Sequence, residues 1–256
     1  MASIIDIKRR KASVESTGQI TKAMKLVSTV KLQRAKQRAD ESKAYFNKMY
    51  ETISSILAKA GNINHPYLQE NGSTKKGIIT ISSNRGLAGG YNNNIVKLIR
   101  DSGMNKEDIM IYAVGHKAMD TLKHRGYEIV SDDSEMINEP VYDDARILGE
   151  KLLKAFEDGE IGEIYLAYTS FKNTVVHIPK LIKLLPFTME ENGESEASKA
   201  EALMNYEPSE EEVLDMIIPK YMSSLIFGAL QEAVASENGA RMTAMDSATN
   251  NAEEML

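Results

Sequence analysis

From Ser3 to about Ala60 the chain has no proline and a single glycine, Gly18. Phe46, Met49, Tyr50, Ile53, Ile56, Leu57 and Ala60 follow one another at intervals of three and four. Ile20, Met24 and Val27 keep the same spacing upstream, and Ala35 and Ala39 continue it more thinly. This periodicity predicts one helix with an apolar stripe. At 1.5 Å per residue it reaches ~85 Å, longer than a small domain is wide. Such a helix must project from a globular body or pair in a coiled coil.

The other end of the chain mirrors it. Ser209 followed by Glu212 reads as a capping box. Val213, Ile217, Met222, Leu225, Ile226, Ala229, Leu230 and Ala233 then form a stripe, in which Pro219 is expected to kink the helix. Beyond Gly239 a weaker seam runs through Met242, Met245, Thr249, Ala252 and Met255. The sequence stops at Leu256 within this pattern and without a capping residue, as a helix cut off before its end would.

The middle of the chain is different. Strand-like stretches at 77–82, 109–114, 127–130, 163–171 and 174–185 alternate with helical patterns at 91–102, 116–125 and 141–157. This alternation predicts an α/β domain with a mostly parallel, Rossmann-like sheet. The last two strands, separated only by Lys172 and Asn173, read as an edge hairpin. The fold class expected is therefore α/β, with a long antiparallel coiled coil of the N- and C-terminal helices and an α/β domain inserted between them. Residues 1–60 and 209–256 would make the shaft, 75–190 the foot, and 191–208 an acidic linker.

Charge is unevenly spread. Residues 1–60 carry 13 Lys and Arg against 5 Asp and Glu, so the rest of the chain must hold −14 for the whole to reach −6. Residues 190–215 hold ten carboxylates and one lysine. This asymmetry points to partners more than to a fold. The absence of cysteine excludes disulfides and cysteine-ligated metal sites. Asp6 and the run Lys8 to Lys11 interrupt the first apolar residues, so no signal peptide is expected. No stretch is expected to approach the ~20 apolar residues that span a bilayer. The chain reads as soluble or peripheral.

Three candidate sites are weak on their own chemistry. The loop containing Gly86, Gly89 and Gly90 follows a strand and precedes a helix, as a phosphate loop does. It lacks the lysine and hydroxyl of G-x-x-x-x-G-K-[ST] and the spacing of G-x-G-x-x-G. It is expected to turn the chain rather than hold a nucleotide, although helix-start amides can still attract an anion. His116, Asp120 and His124 share a helix face but span ~12 Å, too far for one metal ion. Asp143 and Asp144 read as helix N-terminal charge rather than acid–base machinery. No catalytic residues, nucleotide site, metal site or cofactor are expected. Lys22, Lys25, Lys31, Arg34, Lys36 and Arg38 could follow nucleic-acid phosphates, but no aromatic residue lies among them to stack bases. A basic coiled-coil protein that binds nucleic acid or acts as a scaffold is the alternative to a shaft working against acidic protein surfaces.

Three stretches, IKRRKASVESTGQITKAMKLVSTVKLQRA (7–35), ISSNRGLAGGYNNNI (81–95) and SENGARMTAMDSATNNAEEML (236–256), resemble the gamma subunit of the F-type ATP synthase. The resemblance runs from end to end, with the motifs in order. Family members usually continue the C-terminal helix beyond the position of Leu256. The resemblance implies a central rotor shaft that couples ion-driven rotation of a membrane c ring to ATP synthesis or hydrolysis on a hexamer of alpha and beta subunits. It implies alpha, beta, epsilon and c-ring partners, no nucleic acid, and no catalysis by this chain. The expected location is peripheral, on the cytoplasmic face of a bacterial plasma membrane. It also implies beta-subunit contact at Met24, Lys25, Glu237, Arg241 and Met242, and contact with epsilon or the c ring at Tyr206.

Overall fold

The computed structural model describes residues 4–59, 65–187 and 210–256. Tyr206, the Ser209 cap and the acidic stretch 191–208 lie outside the described residues. Helix α1 (Ile4–Lys59) is unbroken over 56 residues. Helix α5 (Glu210–Met255) is unbroken over 46 and runs on through Pro219. Between them come β1 (Lys76–Ile81), α2 (Tyr91–Arg100), β2 (Ile109–Val114), α3 (His116–His124), β3 (Glu128–Asp132), α4 (Tyr142–Glu157), β4 (Glu163–Phe171) and β5 (His177–Leu185).

The sheet order is β3-β2-β1-β4-β5. All neighbours are parallel except β4 and β5. The chain moves outward from β1 to β3, then returns to the other side of β1, so the strand order reverses between β1 and β4. In sheets of this kind, ligand crevices open at the carboxyl ends of the strands beside such a reversal. Strand β5 occupies an edge, which tolerates Pro179 opposite Thr169. The connection before it is longer than expected. Residues 172–176 form a loop in which the amides of Lys172 and Asn173 both donate to the Val176 carbonyl at 3.3 Å, and β5 starts at His177.

Two apolar layers sandwich the sheet. Ile78, Ile111, Ala113 and Ala167 pack against α2 and α3 through Ile95, Ile99 and Leu122. Ile79, Ile81, Tyr112 and Leu166 pack on the opposite face with α4 and the first half of α5, through Leu148, Leu152, Ile218, Met222 and Ile226. Asp143 and Asp144 do sit in the first turn of α4, where the Asp144 carboxylate accepts a 3.4 Å bond from the Val141 amide.

The shaft seam differs from the one expected. The α1 residues turned toward α5 are Gly18, Thr21, Lys25, Ser28, Leu32, Ala35 and Ala39, a regular alternation of three and four. Ile20 and Val27, assigned to the apolar stripe by spacing, are each 58% exposed, and Leu26 and Val30 also face outward. The physical reason is size. A Cβ on Gly18 would stand 3.3 Å from that of Ala252, so the backbones approach more closely than an isoleucine would allow. On α5, Met245, Thr249 and Ala252 are buried as expected, whereas Met255 is exposed.

Among the described residues one helix, α5 from Glu212 to Met255, is apolar enough by length and composition to cross a membrane, with a window of mean hydropathy 1.4. This corrects the expectation that no stretch would qualify. That window is 56% buried inside the protein, because the same helix supplies apolar residues to the foot core and to the shaft seam.

Candidate functional site

The contacts between α1 and α5 run in strict antiparallel order. Gly18 meets Ala252, and the Thr21 and Thr249 hydroxyls lie 2.8 Å apart. Lys25 Nζ reaches Asp246 Oδ1 at 2.5 Å, and Leu32 and Ala35 cluster with Ala235. Each step along one helix is matched to within one residue by a step back along the other, so the register is kept along the seam. Lys25 and Asp246 are both partly exposed, which limits their attraction to the ~0–1 kcal/mol of a solvated pair. Met24 is half-buried on the flank of this seam. Outside it lie exposed Ile20, Leu26, Val27 and Val30, interleaved with exposed Lys22, Lys31 and Arg34. The shaft thus shows its surroundings an apolar and basic side.

A collar joins shaft and foot. The Glu237 and Arg241 side chains form an ion pair at 2.7 Å, one turn apart on α5 and only 13% and 12% exposed. Arg241 Nη2 also donates to the Arg85 and Gly86 carbonyls at 3.4 and 3.3 Å. Those carbonyls belong to the glycine loop, which is itself pinned from within. Ser83 donates from its amide and its hydroxyl to Asn92 Oδ1 at 2.9 and 3.0 Å, and Asn84 Nδ2 donates to the Ser134 carbonyl at 2.8 Å. Gly89 takes a left-handed conformation with φ 56°, and Leu87 does so beside it with φ 63°. The loop turns the chain, as expected, and also braces α5. Tyr91, first residue of α2, reaches across to donate to the Ala233 carbonyl at 3.2 Å. Burial, reinforced by the Glu237 carboxylate, pushes its phenol well above the usual range.

Of the residues expected at partner contacts, Glu237 and Arg241 come together on the collar. Met242 packs part-buried against Leu32, Ala35 and Ala235, and Met24 and Lys25 lie on the shaft. Their side chains therefore differ in access: Lys25 is partly open, whereas Arg241 is largely engaged within the chain. Sequence reasoning missed Asp246, Tyr91, and the contact of His177 with Gly239. Glu237 and Arg241 stand at i and i+4, close enough to pair by local spacing, whereas the contacts of Asp246, Tyr91 and His177 join residues 60 or more positions apart. Elsewhere, His116 approaches Asp132 at 3.7 Å across the end of β3, rather than acting with Asp120 and His124.

Comparison with known proteins places this arrangement. Residues 3–256 match the family model described as ATP synthase. The chain is 62% identical to the ATP synthase gamma chain of Lachnoclostridium phytofermentans, over all of this chain and 90% of that one. It is 37% identical to the sodium ion specific ATP synthase gamma chain of Acetobacterium woodii, over 99% of this chain and 89% of the relative. Its fold matches a chain in the central stalk and c-ring structure of the Tetrahymena thermophila mitochondrial ATP synthase, with TM-score 0.66 and 21% identity over 90% of this chain and 99% of that one. The reading as a basic nucleic-acid-binding or scaffold protein is not favoured beside these relatives. With its paired terminal helices, its collar and its inserted, mostly parallel sheet, the chain belongs to the ATP synthase gamma-chain family.

Proposed function

We propose that this chain is the rotating central shaft of an F-type ATP synthase. It couples ion-driven rotation of a c ring to ATP synthesis or hydrolysis on surrounding alpha and beta subunits. One observation carries the mechanism: α5 is a single continuous helix that contributes Ile218, Met222 and Ile226 to the foot core and Met245, Thr249 and Ala252 to the shaft seam. A torque applied to the foot therefore reaches the shaft through one hydrogen-bonded element with no intervening hinge loop. The regular seam resists twisting of α1 against α5, because any slip would move small residues out of the gaps that fit them.

The shaft must slide against its surroundings without locking to them. Exposed lysines and arginines meeting partner carboxylates give screened contacts of ~0–1 kcal/mol, which exchange readily during rotation. Met24 and Lys25 form the contact patch toward the beta subunit. Glu237, Arg241 and Met242 support it from α5, with Arg241 keeping the collar rigid, and Tyr206 faces epsilon or the c ring. The chain itself catalyses nothing, and the ATP chemistry belongs to its partners. It works at the cytoplasmic face of a bacterial plasma membrane, as a peripheral component of the membrane-bound complex.

The test is reconstitution from purified chains. Alpha and beta subunits mixed with this chain are expected to form a complex whose ATP turnover depends on it, while this chain alone hydrolyses no ATP. Turnover that follows this chain through further purification would overturn the non-catalytic assignment, and failure to enter the complex would overturn the shaft assignment.

A further inference from the structure

Loop 172–176 and the first residue of β5 rest on α5 at Gly239, where the Thr174 carbonyl and the His177 ring both face the bare α-carbon. The loop is tied within itself, since Asn173 Oδ1 accepts from the amides of Val175 and Val176 at 3.0 and 2.8 Å. The His177 ring lies 6.0 Å from that of Phe171, its partner across β4 and β5. Beside it the Phe171 amide donates to Glu232 Oε2 at 3.2 Å, a bond from the foot to α5. Ring, loop and this bond therefore close on α5 together.

His177 Nε2 is buried in this contact and has no hydrogen-bond partner among the described residues. A neutral imidazole tolerates the position, because its bare nitrogen can face a Cα–H of Gly239. An imidazolium carries a proton on both nitrogens. Its Nε2–H would stand against the Gly239 α-carbon without an acceptor, a buried charge with no partner. The neighbouring groups do not supply one. On α5, Glu232 is engaged with the Phe171 amide, and Glu237 pairs with Arg241. Lys172 in the loop is exposed and has the same sign as the imidazolium. Tyr168 on β4 and Tyr91 on α2 are phenols that burial keeps protonated. Burial is the cause that acts on His177, and it lowers the pKa below the ordinary histidine value.

We propose that His177 is a proton-operated latch between foot and shaft. Neutral, it seats the loop on Gly239; protonated, it leaves that contact and the loop comes away from α5. A folded-state pKa below the unfolded one gives stability that is complete above the ordinary histidine pKa of ~6.5 and is lost as pH falls through the folded value. The latch is thus closed at neutral pH and opens on acidification. This inference does not depend on the rotor reading, since both sides of the contact belong to this chain.

The test is a titration of the full chain from neutral pH down to about pH 5, above the range where carboxylates titrate. The His177 ring resonances and the hydrogen-exchange protection of the Phe171 amide are followed together. His177 is expected to titrate below the ordinary histidine value, and Phe171 protection to be lost with the same midpoint. His177→Gln has no charge to gain and should keep that protection at the acid end. Gly239→Ala displaces the ring from its seat, so in that variant His177 should titrate at the ordinary value, ~6.5, although the substituted residue is uncharged. A wild-type His177 that titrates at its ordinary value would overturn the proposal. So would Phe171 protection that stays unchanged across the titration, a loss of protection that persists in His177→Gln, or a His177 midpoint that Gly239→Ala leaves in place.

Discussion

His177 lies directly on Gly239: a Cβ at position 239 would stand 2.7 Å from His177 Nε2 and 3.3 Å from the Thr174 carbonyl oxygen. The loop before β5 therefore seats on an α5 position that has no side chain to keep it away. A glycine inside a helix costs about 0.5–1 kcal/mol relative to alanine. Its presence here trades helix propensity for contact between foot and shaft.

Gly239→Ala should accordingly destabilise the protein, against helix propensity, by ~1–3 kcal/mol of overpacking. For a chain of this size that lowers the thermal midpoint by roughly 2–4 °C per kcal/mol, read by calorimetry. An unchanged or higher midpoint would mean that the loop accommodates the methyl without strain.

The seam makes a sharper prediction, because it separates burial from hydrophobicity. Ile20→Ser removes a large apolar side chain that is exposed in the shaft, so the isolated chain should change by no more than ~0.5 kcal/mol. Ala35→Leu adds bulk at a closed position and should cost ~1–3 kcal/mol. If Ile20 contacts the surrounding subunits, Ile20→Ser should still weaken assembly with them. Denaturant unfolding of the chain and titration of the complex measure the two effects separately.

That contrast shows where the sequence was legible. The absence of proline and the apolar spacing over 46–60 were enough to predict α1, because helix formation depends on local propensity and period. The face turned inward was not legible. A seam of Gly18, Thr21, Ser28 and Ala35 carries little hydropathy, and Ile20 and Val27 stand out more strongly from the wrong side. The strands β2 and β4 were readable to their ends from β-branched and apolar runs. The start of β5 was not, since Val175 and Val176 continue the β-like pattern through residues that form a loop. The collar and the seating of the β5 loop on α5 depended on contacts such as Arg241 with Arg85 and His177 with Gly239, which no local pattern encodes.

Glu163 provides a test by pH. Its carboxylate receives Lys183 at 2.7 Å and also pairs with Lys76, joining three neighbouring strands. Desolvation raises its pKa, but hydrogen bonds from the two lysines outweigh that and leave it below the ordinary value. A depressed folded-state pKa adds stability above the unfolded carboxylate pKa, and this contribution is lost as pH falls through the folded value. Glu163→Gln should therefore cost about 1–2 kcal/mol at neutral pH. The gap to wild type should close as the solution is acidified below the usual carboxylate range. A gap that stays constant down to acid pH would contradict the charge-based reading.

Met24→Lys should impair coupling rather than folding. It adds a cation to a half-buried flank of the shaft, where partner carboxylates can hold it. A pair worth ~1 kcal/mol would slow the step that breaks it about fivefold. In reconstituted vesicles the variant should make less ATP per ion translocated, with an unchanged thermal midpoint. Equal yield per ion would remove Met24 from the contact patch.

The most direct measurement watches the shaft itself. The complex is held to a surface through its beta subunits, a bead is attached to a cysteine placed on the exposed face of the foot at Lys180, and ATP is added. A rotating axle predicts stepwise turning of the bead in one direction, with its rate following ATP turnover. A bead that stays fixed while the same immobilised complexes hydrolyse ATP would contradict it.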